Sequence, residues 1–180
     1  MRKICFYIII LLGTLLGGNG KYMTRTGFVS FFSSTPLEDI YSENNKVSCM
    51  LNIKNGELAF IIPVDEFQFE KTLMGDHFNE NYLETEKFPT STFIGQIESW
   101  DNIRQLDSSN VVVNGHIMIH GVKKNISEIG YYKKKKNSII GEATFRVVLK
   151  DYGIKIPSIL FNNIAEIIDI TIRVKLKEVE

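Results

Sequence analysis

The apolar residues of this chain recur at every second position in about eight segments, and the last segment shows the pattern most clearly. Ile168, Ile170, Ile172, Val174 and Leu176 alternate there with polar residues. Because successive side chains of a strand point to opposite faces, such a segment forms a strand with one dry face and one wet face. The pattern therefore predicts a mostly β protein.

Short connections join the predicted strands. We place the strands near residues 22–32, 46–54, 57–64, 91–101, 109–120, 123–131, 138–150 and 167–178. Asn55-Gly56 is a strong signal for a two-residue hairpin, since both positions of that turn need positive φ. Short turns make sequence neighbours pair antiparallel, and eight such strands can close into a barrel that is filled by side chains or holds a small ligand. A sandwich of two sheets is the alternative.

Two stretches break the two-residue period. Between Phe67 and Pro89 the apolar residues fall at mixed spacings of four and five, which predicts a short helical insertion near residues 70–82. The stretch 151–165 is also irregular and is unusually apolar for a loop. The fold class that we predict is all-β, an eight-stranded antiparallel barrel with this one insertion.

The alternation also assigns the residues that face the barrel interior. Gly95, Gly115, Gly141 and Ala143 share the inward face with large apolar residues, so the strands either bend there or leave space. Space in the centre of a barrel predicts a cavity that binds a ligand. The residues that we predict to line this cavity or to close its mouth are apolar or aromatic: Phe60, Phe67, Phe69, Leu73, Phe78, Tyr82, Phe93, Ile117, Ile119, Phe145, Val147, Leu149, Phe161, Ile170 and Ile172.

The amino-terminal residues have the pattern of a secretory leader. Two basic residues precede an apolar run over residues 4–16, and residues 18–20 form a small-x-small cleavage site. The run is shorter than the roughly 20 apolar residues that span a bilayer as a helix. We therefore expect a signal peptide over residues 1–20, a single domain over residues 21–180, and a periplasmic or secreted location. An uncleaved anchor is the alternative.

Charge and cysteine content exclude further classes. The chain has 21 basic residues, 21 acidic residues and two cysteines, and the leader contains two of the basic residues and Cys5. The mature domain would carry a formal charge of about −2, which gives no general attraction to nucleic acid. With Cys49 alone it cannot form an internal disulfide. Cys49 alternates with Val47 and Leu51, which predicts a small core residue and not a nucleophile.

Three segments carry a more specific pattern than alternation. The insertion around residues 73–78 is followed by a polar passage into a strand at residues 82–93; residues 113–122 read VNGHIMIHGV, and residues 151–154 read DYGI. Together and in this order they resemble the YceI-like family. The resemblance implies a lipocalin-like barrel, secreted or periplasmic, that binds polyisoprenoid or other lipid-like amphiphiles. Met118 stands where the family often has threonine, so no hydrogen bond is carried over to that position.

Motifs for catalysis and for metal binding are missing from the sequence. It has no G-x-S-x-G, no H-E-x-x-H, no phosphate-binding glycine loop and no C-x-x-C, so we expect neither an enzyme nor a cofactor. His116 and His120 are four residues apart on one strand, about 13 Å, which is too far to share a zinc ion. We expect His116 to face solvent and His120, beside Gly121, to bond a backbone group. Glu84 and Glu86 are interpreted as solvated charges.

A few polar side chains are candidates for contact with a ligand head group or a membrane. His77, Asn79 and Tyr152 lie near the predicted mouth of the barrel. The run Lys133, Lys134, Lys135 and Lys136 could contact anionic lipid head groups, where each basic residue adds about 1 kcal/mol. A solvated hairpin tip is the commoner explanation of such a run. The sequence also leaves a homodimer open.

The leading functional hypothesis is non-catalytic binding or transport of a long-chain amphiphile, polyisoprenoid or fatty-acyl, in the barrel interior. One alternative is a filled barrel that acts as a protein-interaction module for an envelope or respiratory component, and another is an envelope enzyme acting on an amphiphile. A tunnel larger than about 300 Å³ would favour the carrier. A filled interior with an exposed apolar patch would favour the module, and a polar cluster with perturbed titration would favour the enzyme.

Overall fold

The described part of the chain comprises residues 20–157 and 162–179 of a computed structural model. The predicted leader lies outside the described residues except for Gly20, and so does Phe161 among the predicted cavity residues. No helix in the described residues is long and apolar enough to cross a membrane.

Eight long antiparallel strands and one two-residue strand form a closed barrel in the described residues. The strands are β1 (Lys21–Ser34), β2 (Asp39–Asn52), β3 (Glu57–Pro63), β4 (Gln68–Phe69), β5 (Thr90–Ile97), β6 (Ser108–Ile119), β7 (Val122–Lys135), β8 (Ser138–Val148) and β9 (Ile167–Glu178). The long strands follow one another in a meander, and β1 pairs with both β2 and β9 to close it. The prediction of an all-β, eight-stranded antiparallel barrel is confirmed, and the two-sheet sandwich is wrong.

Short helical elements cover one end of the barrel. The insertion between β3 and β5 contains a 3-10 turn (Val64–Glu66), helix α1 (Thr72–His77) and a π-helical turn (Phe78–Tyr82). This is the place where the mixed apolar spacing predicts helical turns. A second short helix, α2 (Trp100–Ile103), lies between β5 and β6 at the other end of the barrel, and a 3-10 turn (Leu149–Tyr152) follows β8.

Strand β2 begins at Asp39, seven residues before the predicted start. Its first half contains buried polar residues, which hide the alternation in the sequence. The Ser42 hydroxyl donates to the Gln68 carbonyl oxygen at 2.7 Å, and the Asn44 side-chain amide donates to the Pro63 carbonyl oxygen at 2.7 Å. The backbone at the end of β3 and in the insertion thus satisfies these buried polar groups, which holds the start of the insertion against the barrel wall.

Two other strand ends also differ from the prediction. Strand β7 continues to Lys135, because β8 pairs with it through Lys133 and Lys134. The tip of this hairpin is therefore shorter than the run of four lysines that was predicted to form it. Strand β5 ends at Ile97, before the predicted end at residue 101. Ser99 has a φ of 52°, a left-handed conformation that breaks the strand and leads directly into α2.

Trp100 closes the barrel end at which α2 lies. Its side chain is 4% exposed, and its indole N–H donates to the Ile53 carbonyl oxygen at 2.7 Å. The ring meets the Tyr132 ring edge to face, with centroids 5.5 Å apart. The turn between β2 and β3 has four residues, 53–56, so the predicted two-residue turn is wrong, and of Asn55 and Gly56 only Gly56 has a positive φ, 77°. A Cβ on Gly56 would lie 2.6 Å from the indole Cγ. Glycine is therefore needed at that turn for its conformation and for the close approach of the indole.

Candidate functional site

An apolar cavity of about 190 Å³ lies inside the barrel. Its volume is below the range of about 300–1,000 Å³ that is typical of small-molecule pockets, so the interior is neither filled nor wide. The predicted residues that line it come from five strands, the insertion and the turn after β8: Phe60, Phe67, Phe78, Phe93, Ile117, Ile119, Phe145, Val147, Leu149, Ile170 and Ile172.

Three other predicted residues lie beside the cavity lining or away from it. Leu73 is 64% exposed, because α1 lies on the outside of the insertion and its Leu73 side chain faces solvent. Phe69 packs on Phe31 and Phe78, and the half-buried Tyr82 packs against the core. Neither Phe69 nor Tyr82 belongs to the cavity lining. The prediction that Leu73 lines the cavity or closes its mouth is therefore wrong, whereas Phe69 and Tyr82 pack at the end of the barrel and do not line the cavity.

The inward-facing small residues have two different effects. A Cβ on Gly95 or Gly115 would lie 2.5 Å or 2.7 Å from Cζ of Phe93, so the Phe93 ring lies directly over the backbone of both glycines and fills their space. Gly141 and Ala143, on β8, belong to the cavity lining instead. The space that the glycine pattern predicts is therefore present along β8 and occupied along β5 and β6.

Aromatic side chains stack across the end of the cavity that the insertion covers. The ring centroid of Phe31 lies 5.5 Å from that of Phe67 and 5.5 Å from that of Phe78, and the Phe69 centroid lies 5.0 Å from that of Phe78. Phe31 is 7% exposed. This cluster closes its end of the barrel as Trp100 closes the other.

The wall of the barrel is interrupted between β7 and β8. These strands pair only from Gly130 with Ala143 to Lys135 with Ser138, although β7 pairs with β6 along its length and β8 pairs with β9 up to Val148. Residues 122–129 of β7 and 144–148 of β8 therefore diverge. We call this gap the fork.

The cavity reaches the outer surface at the fork. On β6 and β9 only alternate residues line the cavity, as expected for a sealed wall. Where the fork begins, consecutive residues line it, 128–132 on β7 and 139–143 on β8. Of these, residues 128 and 129 belong to the fork, and the others lie in the part of the wall in which β7 and β8 still pair. Both faces of the wall therefore contribute next to the fork; a shorter run of this kind occurs at residues 91–93. A shallow depression on the outer surface shares Ile129, Tyr131 and Glu142 with the lining of the cavity, so the two adjoin at these residues.

Glu128 places a carboxyl group on the cavity side of the fork. It is half-buried and pairs in register with Val113, whose side chain also lines the cavity. Burial raises the pKa of the Glu128 carboxyl above its ordinary range. Among the described residues Glu128 has no hydrogen-bond or ion-pair partner. The nearby cation on its own strand, Lys124, contacts Asp151 instead, at 3.1 Å.

The sequence analysis missed Glu128 and Phe31. In β7 apolar residues occur on both faces, Ile126 inward and Ile129 outward, so the alternation assigns no face there. One signal in the sequence could have identified Glu128. If β6 and β7 pair as a hairpin about the turn at Gly121, Glu128 stands opposite the inward-facing Val113. Phe31 has no comparable signal, because apolar residues are consecutive in that part of β1.

The three candidate head-group residues do not come together. His77 is exposed at the end of α1, while Asn79 is half-buried in the π-helical turn with a buried Oδ1 that has no hydrogen-bond partner in the described residues. Tyr152 is 5% exposed and absent from the cavity lining, and burial raises the pKa of its hydroxyl. None of the three borders the described cavity, so the prediction of their contact with a cavity-bound head group has no geometric support.

The lysine run lies at the barrel end that Trp100 closes, opposite the aromatic cluster. Lys134, Lys135 and Lys136 are exposed, and Lys133 is half-buried. Its contact with a membrane stays a prediction, as does a homodimer.

The described residues contain no group of three or more His, Cys, Asp and Glu side chains that could hold a metal ion. Cys49 is 2% exposed, and burial raises the pKa of its thiol well above the ordinary range. Burial of this kind keeps a thiol uncharged and unreactive. The prediction of a core cysteine is confirmed by this placement.

His120 bonds a backbone group, as predicted, and also a carboxylate. Its Nδ1 lies 3.0 Å from the Tyr152 carbonyl oxygen, and its Nε2 lies 3.0 Å from Oε2 of Glu84. The carbonyl and the carboxylate are both hydrogen-bond acceptors, so the ring is held between two acceptor groups. Glu84 also accepts from Lys87. The interpretation of Glu84 as a freely solvated charge is therefore wrong.

We expect Glu84→Gln to lower the stability of the protein near neutral pH. Hydrogen bonds from Lys87 and then from His120 lower the pKa of the Glu84 carboxyl from its ordinary value of 4.5. A lowered folded-state pKa gives stability that is present above the unfolded value and is lost as the pH falls through the folded value. The difference between wild type and Glu84→Gln, measured by urea unfolding, should therefore shrink progressively below pH 4.5.

The exposed Glu86 supplies the control for this series. Glu86→Gln should match wild type at each pH. A gap between wild type and Glu84→Gln that stays constant down to about pH 2, below the usual carboxyl range, would contradict the assignment.

Solved structures show where else this fold occurs. A polyisoprenoid binding domain from Saccharophagus degradans superposes with a TM-score of 0.78 at 14% identity, covering 90% of this chain and 100% of that chain. BcnA of Burkholderia cenocepacia gives 0.69 at 12% identity, with 83% and 95% covered. A YceI protein of Campylobacter jejuni gives 0.62 at 18% identity, with 77% and 85% covered. At these identities the likeness shows the fold.

The family itself is shown by the sequence. No curated protein sequence matches the chain significantly. A family model described as the YceI-like domain matches residues 25–176, which include all of the cavity walls from β2 to β8 and nearly all of β1 and β9. The resemblance seen in the insertion, in the VNGHIMIHGV strand and in the DYGI turn is thereby confirmed: the chain belongs to the YceI-like domain family.

Proposed function

We propose that this protein binds a long-chain amphiphile of polyisoprenoid or fatty-acyl type in the barrel interior, without chemically converting it. The observation that carries the proposal is an apolar cavity that opens to the surface through the fork. Burying each methylene of a tail contributes about 0.8 kcal/mol, so unspecialised apolar walls are sufficient for binding. The polyisoprenoid binding domain from Saccharophagus degradans, which has the same fold, supports this ligand class.

The size of the cavity constrains how a tail is held. At about 190 Å³ the cavity accepts only part of a long tail, and the rest either leaves through the fork or displaces side chains. Phe31 and Trp100 stand at the two ends as buried aromatic residues, so the fork is the opening with the least packing to disturb. The amphiphile is therefore inserted from the side of the barrel, tail first.

Binding without catalysis is supported by the surroundings of the ionisable group at the cavity. Glu128 has no nucleophile, base or metal ligand bonded to it among the described residues. A catalytic acid or base works on a positioned partner. A carboxyl at the mouth of a cavity without such a partner fits ligand binding better than the envelope-enzyme alternative.

The interaction module is the second candidate, and one observation favours it. Ile129 is 67% exposed and Val112, opposite it in register, is 37% exposed, so these two residues form an apolar patch on the outer surface next to the fork. Exposed apolar surface of this kind can contact a protein or a membrane. For either candidate function we propose a location in the cell envelope, with the leader removed after Gly20.

Native mass spectrometry of the protein produced from the full 180-residue sequence and purified without detergent tests the proposal. We expect an amphiphile bound at close to one per chain, released by organic extraction, and a protein mass that corresponds to residues 21–180. The intact mass would show separately whether the leader is removed.

A protein that purifies without ligand, and that takes up no amphiphile when titrated with one, would overturn the binding proposal. Retention of a protein partner that Ile129→Ser abolishes would instead support the interaction module.

A further inference from the structure

The fork combines three features that do not occur together elsewhere in the described wall. It is a gap between neighbouring strands, it lies where the cavity adjoins an outer depression, and a carboxyl group without a hydrogen-bond partner lies on its inner side. If the β7–β8 register continued beyond Gly130 and Ala143, Glu128 would stand opposite Phe145. A guest that passes through the fork therefore has Phe145 on one side and the Glu128 carboxyl on the other.

We infer that Glu128 binds the head group of the amphiphile at the fork and selects head groups that donate a hydrogen bond over anionic ones. The inference rests on the proposed function, and it assigns to that site a specificity-determining residue. The oxygens of a carboxyl group accept hydrogen bonds from a hydroxyl, an amide or an ammonium group. A phosphate or carboxylate head group would bring a second negative charge to a partly dehydrated position, which is unfavourable.

The charges around the fork favour the same selection. Lys124, on the same face of β7, contacts Asp151 at 3.1 Å and is not free to neutralise Glu128. Arg173 is in the outer depression, but its guanidinium lies 5.2 Å from the centre of the Phe28 ring and it stands opposite Glu142 in register. Arg146, on the unpaired part of β8, contacts Asp169 at 3.1 Å, and Lys123 is exposed on the face of β7 opposite Glu128. Lys124, Arg146 and Arg173 therefore all have partners other than Glu128.

Burial of Glu128 explains why its preference extends to neutral donors. The cavity wall around it is apolar, and burial raises the pKa of the carboxyl because it removes water that would otherwise stabilise the charged form. A neutral alcohol can satisfy this carboxyl with one hydrogen bond. An ammonium group adds an ionic attraction, so its charge-assisted hydrogen bond to the carboxyl is stronger than the hydrogen bond from an alcohol.

Equilibrium dialysis of delipidated protein against decanol, decylamine and decanoate tests the inference, because these probes share one tail and differ in the head group. We expect wild type to bind decanol and decylamine at least about ten-fold more tightly than decanoate, a difference of 1.4 kcal/mol. Glu128→Gln keeps the shape and can still accept a hydrogen bond. It should bind decanol as tightly as wild type does, decylamine more weakly and decanoate more tightly, so that the three affinities converge.

Glu57→Gln, at an exposed carboxyl on β3 that borders neither the cavity nor the outer depression, is the control and should leave the order of affinities unchanged. Equal binding of all three probes to wild type, or an unchanged order in Glu128→Gln, would overturn the role of Glu128 while leaving the proposed function intact. Tightest binding of decanoate would also overturn it. If none of the three probes binds to folded protein, both the role of Glu128 and the proposed function fail.

Discussion

Replacing Trp100 with alanine should lower the free energy of unfolding by about 3–5 kcal/mol, the cost of truncating a buried aromatic side chain to alanine. Trp100 is 4% exposed, it covers the Gly56 turn, and its ring meets the Tyr132 ring. Its loss would open the end of the barrel that α2 covers and would leave the Ile53 carbonyl oxygen without its donor at 2.7 Å. We expect the protein to fold with a much lower urea midpoint.

Two further variants separate the causes of this effect. Trp100→Phe keeps most of the ring volume but removes the N–H donor, so it should cost about 1–3 kcal/mol, the penalty of an unsatisfied buried acceptor. Leu106→Ala, at a residue that is 46% exposed near the same end, should change stability by less than about 0.5 kcal/mol. Unfolding has to be followed by circular dichroism, because Trp100 is the single tryptophan of the chain. A loss below about 1 kcal/mol in Trp100→Ala, the typical effect of an arbitrary substitution, would contradict the role of Trp100 in closing the barrel.

Phe145→Trp should weaken the binding of decanol by at least about ten-fold, or 1.4 kcal/mol. Phe145 lines the cavity on the part of β8 that no longer pairs with β7, and the larger indole would occupy the space that the tail needs. Because the added atoms enter a cavity and not a close-packed core, the protein should remain folded. Equilibrium dialysis measures the affinity, and circular dichroism checks the fold.

Ile94→Trp is the control, since Ile94 is 52% exposed on β5, next to Phe93, and borders neither the cavity nor the outer depression. It adds an indole to the barrel wall without filling the cavity, so it should bind decanol as wild type does. Unchanged decanol binding by folded Phe145→Trp would show that the tail does not pass Phe145, and would place the amphiphile elsewhere.

The barrel was predictable because most of its strands have only one buried face. In β9 the apolar residues from Ile168 to Leu176 alternate without exception, and the structure places them along the cavity. The first half of β2 escaped prediction because Ser42 and Asn44 are buried and polar, and only the end of β3 and the folded insertion supply the carbonyl groups that satisfy them. A pattern in one segment does not reveal such partners from another segment.

The site was predictable only as far as its walls. Alternation identifies which side chains point inward, but the volume that they leave depends on rotamers, and the Phe93 ring covers the two glycines at which space was expected. The fork depends on where two neighbouring strands stop pairing. Val147 and the other β8 residues do not reveal this point in the sequence, because on their other side they pair normally with β9. Glu128 gains its importance from that gap.

The fork also gives the barrel two short free strand edges, which a fully paired barrel does not have. A row of unpaired amide and carbonyl groups is a template to which another chain can add a strand, and this is a common route to aggregation. Here the exposed Lys123 on β7 and the exposed Arg146 on β8 place charged side chains on both edges, which natural sheets use against such pairing. The opening that admits a guest is therefore protected against growth of the sheet between molecules.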